Sequence, residues 1–234
     1  MPRVAELHSW DLDTKQARSL QEELAGKVDV TRPLPVVQTV AGADVSYNLR
    51  GRWLYAAMIV NAAGTGEVVE RAGVVVEVRF PYVPGLLSFR EAPPVIKAYE
   101  ALKVQPDVIL VDGQGIAHPR RIGLASHLGL WLGIPTVGCA KSRLIGDHDE
   151  PGLTRGQWKP LIDKGQTIGA VLRTRDRVRP LYVSPGHLCD LESALRVVLQ
   201  NTSKYRLPDP ARLAHQYVND LRRQAGGGKE AIAS

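Results

Sequence analysis

Residues 107–121 read DVILVDGQGIAHPRR, an apolar run that stops on an acid, passes two glycines and enters His-Pro-Arg-Arg. A carboxylate at the inner end of a strand must be solvated, paired or bound to metal, so Asp112 is a costly terminus unless something uses it. A second acid, Asp44 in AGADVSY, stands near the end of an earlier strand candidate. If the first strand ends beside the fourth, the two carboxylates lie side by side and repel unless a cation lies between them. Magnesium, a hard ion held by one or two carboxylates with waters and phosphate oxygens, suits that place. His118, Arg120 and Arg121 follow at the start of the next helix candidate, where backbone amides and guanidinium groups make a cradle for phosphate. Ordinary surface charge on a turn is the alternative reading of those three.

The elements that must position these groups are legible from patterning. Residues 14–26 have helix-forming composition with Gly26 as a stop. Strand candidates at 35–47, 52–61 and 67–80 have short connections and predict an antiparallel meander. The chain then alternates a helix over 95–103, a strand over 107–112, a helix over 121–133 and a strand over 135–141. Alternation of helices with fully apolar strands marks parallel crossovers. A hairpin near 166–184 and helices over 187–199 and from Asp209 toward Arg223 complete an α/β chain with a mixed sheet, an antiparallel meander followed by parallel strands, flanked by helices. The tail GGGKEAIAS, residues 226–234, is expected to be disordered, leaving a single domain over 1–225.

With 234 residues, 44% of them hydrophobic, the chain can bury a sizeable core, and its formal charge of +6 favours a polyanionic partner. Nucleic acid is the leading candidate and an acidic membrane surface the second. The start MPRVAELHSWDL lacks an apolar signal region, and no stretch approaches a membrane span, so a cytoplasmic protein is expected. Cys139 and Cys189 are too few and too far apart for a disulfide framework or a thiolate zinc site, and both are assigned to packing.

Four ordered motifs, GADVSY, PYVPGLLSFRE, PDVILVDGQGIAHPRRIGLASHLG and GCAKSRL, resemble the endonuclease V family over residues 41–215. The resemblance implies a ribonuclease H-like fold and a DNA repair nuclease for deaminated purines, chiefly hypoxanthine. Such an enzyme uses magnesium, with manganese able to substitute, to hydrolyse the second phosphodiester 3′ to the lesion. It leaves a 3′-hydroxyl and a 5′-phosphate. Carried onto matching positions, Asp44, Glu91 and Asp112 are the metal-binding and catalytic acids, and Lys141 and His215 the supporting basic residues of the catalytic set. Pro81, Tyr82, Val83 and Pro84 match the wedge that fills the gap left by a flipped base. Gly85 and Leu87 would offer backbone groups to that base, with Gly113 and Gly138 allowing its close approach. The expected partner is DNA containing deaminated purines, with inosine-containing RNA as an alternative, no obligate protein partner, and a monomer. Val83 stands where isoleucine is common, and Gln114 where histidine or asparagine is.

Each assignment has a plainer counterpart. Ser88 and Glu91 have the spacing of a helix capping box. Pro93 and Pro94 oppose that box, because proline belongs in a first turn, and a helix starting near Pro93 would leave Glu91 free to reach the acids. Lys141 could be a solvated strand end, and His215 one member of a polar helix stripe with Arg212, Asn219 and Arg222. PYVPG could be only a rigid turn. Arg173, Arg175, Arg177 and Arg179 alternate as one face of a hairpin would, either against DNA or as a solvated edge. The rival functions are an inosine-directed ribonuclease and a non-catalytic lesion-binding module.

Overall fold

The computed structural model describes residues 6–48 and 51–227. Its centre is one eight-stranded sheet in the order β3-β2-β1-β4-β5-β8-β7-β6. Strands β1 (Thr39–Tyr47), β2 (Trp53–Ala62) and β3 (Val68–Glu77) form the expected antiparallel meander. β4 (Val108–Val111) and β5 (Thr136–Ala140) add parallel to β1, and every residue of both is buried. β6 (Trp158–Asp163), β7 (Gln166–Leu172) and β8 (Leu181–His187) close the sheet as a second antiparallel group.

Helices cover both faces. α2 (Leu87–Glu100) and α3 (Leu124–Leu132) cover one, in a core that joins Val95, Tyr99 and Leu128 to Ala43, Ile109 and Val111. α4 (Leu191–Gln200) and α5 (Asp209–Gly227) cover the other, where Val198 and Ala211 meet Val40, Val108 and Leu110. Alternation along β1 and β4 therefore assigns Asp44 and Asp112, next in sequence after Ala43 and Val111, to the α5 side. α1 (Thr14–Ala25) is capped by Asp13, whose carboxylate accepts from Gln16 N, and it buries Ala17 against Phe80, Leu86 and Phe89. Both cysteines are free and buried in the α4 and α5 core, as their packing assignment requires. Among the described residues no helix is long and apolar enough to cross a membrane.

Several expected boundaries move. α2 begins at Leu87, not near residue 95, and carries Pro93 and Pro94 inside it. Each proline forfeits a backbone hydrogen bond, but burial of Phe89, Ala92, Val95 and Ile96 on the same helix keeps it continuous. The Ser88 capping box does not form, since Leu86 holds the cap position without a side-chain bond. α3 starts three residues late because Arg121 takes a left-handed φ of 57°. β6 went unread because its half-exposed edge pattern contains Pro160. β8 runs on to His187, and α4 waits for the Asp190 cap. The four alternating arginines lie beyond the end of β7, not on a strand face. Arg173 is buried and paired with Glu150 at 2.8 Å, and Arg175 donates to the Lys204 carbonyl. α5 continues through Gly227, so the expected tail loses its first two residues to the helix, and 228–234 lie outside the described residues.

The seating of α5 on β1 depends on Gly42, where a Cβ would come within 2.1 Å of the Pro210 backbone. Gly42→Ala is expected to destabilise the protein by about 1–3 kcal/mol through overpacking, read from the midpoint of a urea melt. An unchanged midpoint would mean that α5 is not held against β1 as described.

Candidate active site

Parallel pairing of β1 with β4 aligns Ala43 with Val111, so the next residues, Asp44 and Asp112, leave the sheet together. The Asp112 amide still donates to the Ala43 carbonyl at 3.1 Å, which holds the two backbones in register at that point. Ligand atoms of Asp44, Asp112 and His215 all lie within 4.8 Å of one another, a group able to share one metal ion. Each carboxylate has a basic neighbour. His215, on α5, donates from Nδ1 to Asp44 Oδ2 at 2.6 Å. Lys141, just past β5, donates from Nζ to Asp112 Oδ2. Asn219, one turn beyond His215, donates to its Nε2 at 3.2 Å, and the Ser46 hydroxyl donates to Asn219 Oδ1 at 2.9 Å. That chain fixes the imidazole with its proton on Nδ1, facing Asp44. The stripe on α5 thus faces the acids.

Glu91 comes from α2 on the opposite face and lies outside the tight group, although its electrostatics tie it to both aspartates. Burial, and then the charges of Asp44 and Asp112, push its carboxyl up to about 8, with Arg90 and the Tyr47 hydroxyl opposing the shift. Burial and the Asp112 charge also raise Asp44, against the pull of His215. Oxygen donors of this kind, desolvated and mutually repelling, fit a hard divalent cation. Asp44 and Asp112 form the part of the site that would hold it, with Glu91 behind them and His215 orienting Asp44.

Beside Asp112 opens a cavity of about 420 Å³, bordered by Tyr82, Leu87, Ser88, Gly113, Gln114 and Lys141 among others. That volume lies within the range of small-ligand sites. A larger cavity of about 770 Å³, between residues 34–37 and α4, contains only Arg196 as an ionisable group and lies away from the acids.

The PYVPG loop forms the cavity's outer edge. Leu86 N donates to Val83 O at 2.9 Å across a turn with Pro84 second and Gly85 third, and Gly85 has φ of +77°. That is the type II pattern, in which the third position demands glycine. Val83 packs on Phe80, Leu86 and Phe89, while Pro81 and Pro84 are exposed and Tyr82 is 62% exposed at the tip. Arg120 Nη2 donates to the Gly85 carbonyl at 2.6 Å, and His118 Nε2 lies 3.1 Å from the same oxygen. Arg121 pairs with Asp163 at 2.7 Å. The three residues read as a phosphate cradle are therefore engaged within the protein, and two of them brace the loop turn. Of the four residues expected around a base, Leu87 and Gly113 line the cavity. Gly85 is braced beside it, and Gly138 packs under the 113–115 loop, where a Cβ would meet Gly115 N at 2.4 Å.

Sequence reading missed Tyr47 and the pair His8 and His127, and named Asn219 only as a member of the His215 stripe. The spacing of four from His215 was the signal for Asn219; the others carried none.

A mixed sheet with acids at the C-terminal ends of adjacent parallel strands, and helices on both faces, is that of a ribonuclease H-like nuclease. A profile of endonuclease V matches residues 22–216. Endonuclease V of Gloeobacter violaceus is 49% identical over 220 residues, 93% of this chain and 89% of that protein. The crystal structure of endonuclease V from Streptomyces avermitilis aligns with a TM-score of 0.89 at 42% identity, covering 93% of this chain and 96% of that one. Ciona intestinalis endonuclease V, solved in complex with a 24mer DNA containing an inosine followed by a ribo-adenosine, aligns at 0.79 and 31% identity over 89% of this chain and 97% of that one. The chain belongs to the endonuclease V family.

A raised folded-state pKa means that the native protein binds a proton more tightly than the unfolded chain. The stability contributed by protonated Glu91 is therefore complete below the ordinary carboxylate range and is lost as pH rises toward about 8. Cation binding competes with those protons. Without divalent cation, the melting temperature should fall between pH 5 and 8, and the gain on adding the cation should grow over the same interval. Thermal melts across that range, with Asp44→Asn/Asp112→Asn as the site-deficient control, check both trends. A cation-induced gain that is flat with pH would contradict the assignment of buried, protonated acids.

Proposed function

We propose that the protein is a DNA repair endonuclease that recognises deaminated purines, chiefly hypoxanthine, and hydrolyses the second phosphodiester 3′ to the lesion. The products are a 3′-hydroxyl and a 5′-phosphate with the lesion retained. The observation that carries the reading is the adjacency of a base-sized cavity bordered by Asp112, a proline-bounded aromatic tip and paired acids at the C-terminal ends of β1 and β4. The inosine in the DNA bound by the Ciona relative supports the choice of lesion.

In this reading Tyr82 enters the gap left when the damaged base leaves the stack, and Leu87 and Gly113 present backbone to that base. Asp44 and Asp112, with Glu91 behind them, would hold magnesium or manganese. When bound, the ion lowers the pKa of the attacking water and neutralises charge on the leaving oxygen. His215 keeps its Nδ1 proton on Asp44, so one carboxylate oxygen stays oriented. Lys141 sits on Asp112, close enough to move its ammonium from carboxylate to phosphate as the substrate arrives. Residues 1–225 would act as one domain, as a monomer in the cytoplasm.

A second reading, an inosine-directed ribonuclease with the same chemistry, is favoured by the ribo-adenosine that follows the inosine in the DNA of the Ciona complex. That relative accommodates a 2′-hydroxyl at the 3′ neighbour of the lesion. Matched DNA and RNA strands carrying one inosine decide between the two by rate.

Asp112→Ala should retain binding to an inosine duplex and lose cutting by about 10³-fold, the scale of several kcal/mol for a displaced metal ion. Cleavage mapped to the nucleotide with and without magnesium reads this, and a mutant that cuts at the wild-type rate ends the mechanism. Tyr82→Ala should keep the magnesium-induced thermal shift but weaken binding to damaged duplex by about 1–3 kcal/mol. Unchanged affinity in a titration would remove Tyr82 from the wedge.

A further inference from the structure

Behind the cavity a hydrogen-bond chain runs from the exposed Ser9 through half-buried His8 to buried His127 and Ser88, and its direction is fixed at one end. His8 Nδ1 lies 2.8 Å from the Ser9 carbonyl. A carbonyl can only accept, so His8 Nδ1 carries the proton. His8 Nε2 meets His127 Nε2 at 2.7 Å, and His127 Nδ1 meets Ser88 Oγ at 3.0 Å. Both imidazoles are held neutral by burial, which lowers His8 and takes His127 down to about 3. A neutral His8 protonated on Nδ1 must accept at Nε2, so His127 donates from Nε2 and must accept at Nδ1. The hydroxyl proton of Ser88 is then committed to His127. Its lone pairs have no donor among the described residues, and Ser88 lines the cavity.

We propose that Ser88 is a specificity-determining residue, an acceptor-only hydroxyl that takes a hydrogen bond from the ring N–H on the reading edge of the flipped base. The assignment rests on the reading of this cavity as the base site. Hypoxanthine carries a proton on N1, whereas adenine presents a lone pair there. A hydroxyl free to rotate would serve either base by donating or accepting. One locked as an acceptor rewards the N–H and faces adenine N1 lone pair to lone pair. The chain from Ser9 through His8 and His127 supplies that lock. Trp10 and Trp131 enclose it, with ring centroids 4.5 Å and 4.9 Å from His8.

The test compares duplexes that differ at one base, deoxyinosine or deoxynebularine, the purine that lacks both N1–H and O6. Competition binding and single-turnover cutting are measured for wild type, Ser88→Ala, Ser88→Thr and His8→Phe. Ser88→Ala is expected to weaken binding and cutting of the inosine duplex about tenfold and to leave affinity for the nebularine duplex unchanged. Ser88→Thr, which keeps the hydroxyl, should retain most of the preference. His8→Phe removes the partner that orients His127 and should lower the inosine preference with Ser88 in place. Equal losses on both duplexes, or no loss on inosine, would overturn the role of Ser88. An unchanged preference in His8→Phe would overturn the lock. A wild-type protein that ignores inosine would sink the proposed function and this assignment together, whereas a wild type that cuts inosine with an indifferent Ser88→Ala sinks this assignment alone.

Discussion

Two carboxylates are forced together by strand register, and the rest of the site is arranged around that repulsion. Asp44 and Asp112 cannot separate without breaking the β1–β4 pairing, because each follows directly on a paired residue. With ligand atoms under 4.8 Å apart, two full charges at an effective dielectric of about 20 repel by roughly 3.5 kcal/mol. Three features offset that cost: the ammonium of Lys141, the imidazole of His215, and the uptake of a proton by Glu91 in place of a third charge. A divalent cation offsets it more completely than any of them. The same desolvation that makes the acids unstable alone would strengthen their hold on such a cation.

The excess positive charge of the chain is only partly available to a polyanion. Arg120 is committed to Gly85 and Gln21, Arg121 to Asp163, Arg173 to Glu150, and Arg206 to the carbonyls of Lys141 and Pro180. These guanidinium groups act as multi-dentate struts for loops, a task suited to their fixed fork of donors. Lys141 and Arg143, both half-exposed at the cavity edge, are paired as well, with Asp112 and with Asp147, but those pairs are solvent-accessible and open to exchange for phosphate. Net charge pointed to a class of partner. It could not say which arginines meet that partner, because pairing is decided by residues distant in sequence.

The parts of the fold that were legible are those where one local pattern had one outcome. β4 and β5, wholly apolar and bounded by turn residues, could only be interior strands, and the acid after β4 could only mark its exit. Local rules failed where tertiary burial overrode them. Pro93 and Pro94 argued for a helix boundary that packing of Phe89 and Ala92 erased. The edge strand β6 hid behind a proline and a polar face, and the arginine alternation of 173–179 imitated a strand where the chain has left the sheet. In the site, acids at strand ends could be named from sequence. The His8 and His127 contact spans 119 residues and joins a terminal segment to a helix interior, a pairing that no spacing encodes.

That erased boundary joins the cavity wall to the acids. Because α2 starts at Leu87, the residues Leu87 and Ser88 at the cavity and Glu91 behind the acids belong to one turn of one helix. Positions three apart share a helix face, so Ser88 and Glu91 cannot move independently. Had the helix begun near Pro93, a flexible segment would separate them and a base could seat without any effect on the carboxylate. With the cavity as the proposed base site, the continuous helix, with Ser88 tied to His127 and Arg90 tied to the Phe80 carbonyl at 2.8 Å, would make base seating and acid placement two readings of one rigid position. A wrong base that fails to seat would therefore disturb the same turn that carries Glu91, and discrimination would reach the chemical step as well as binding.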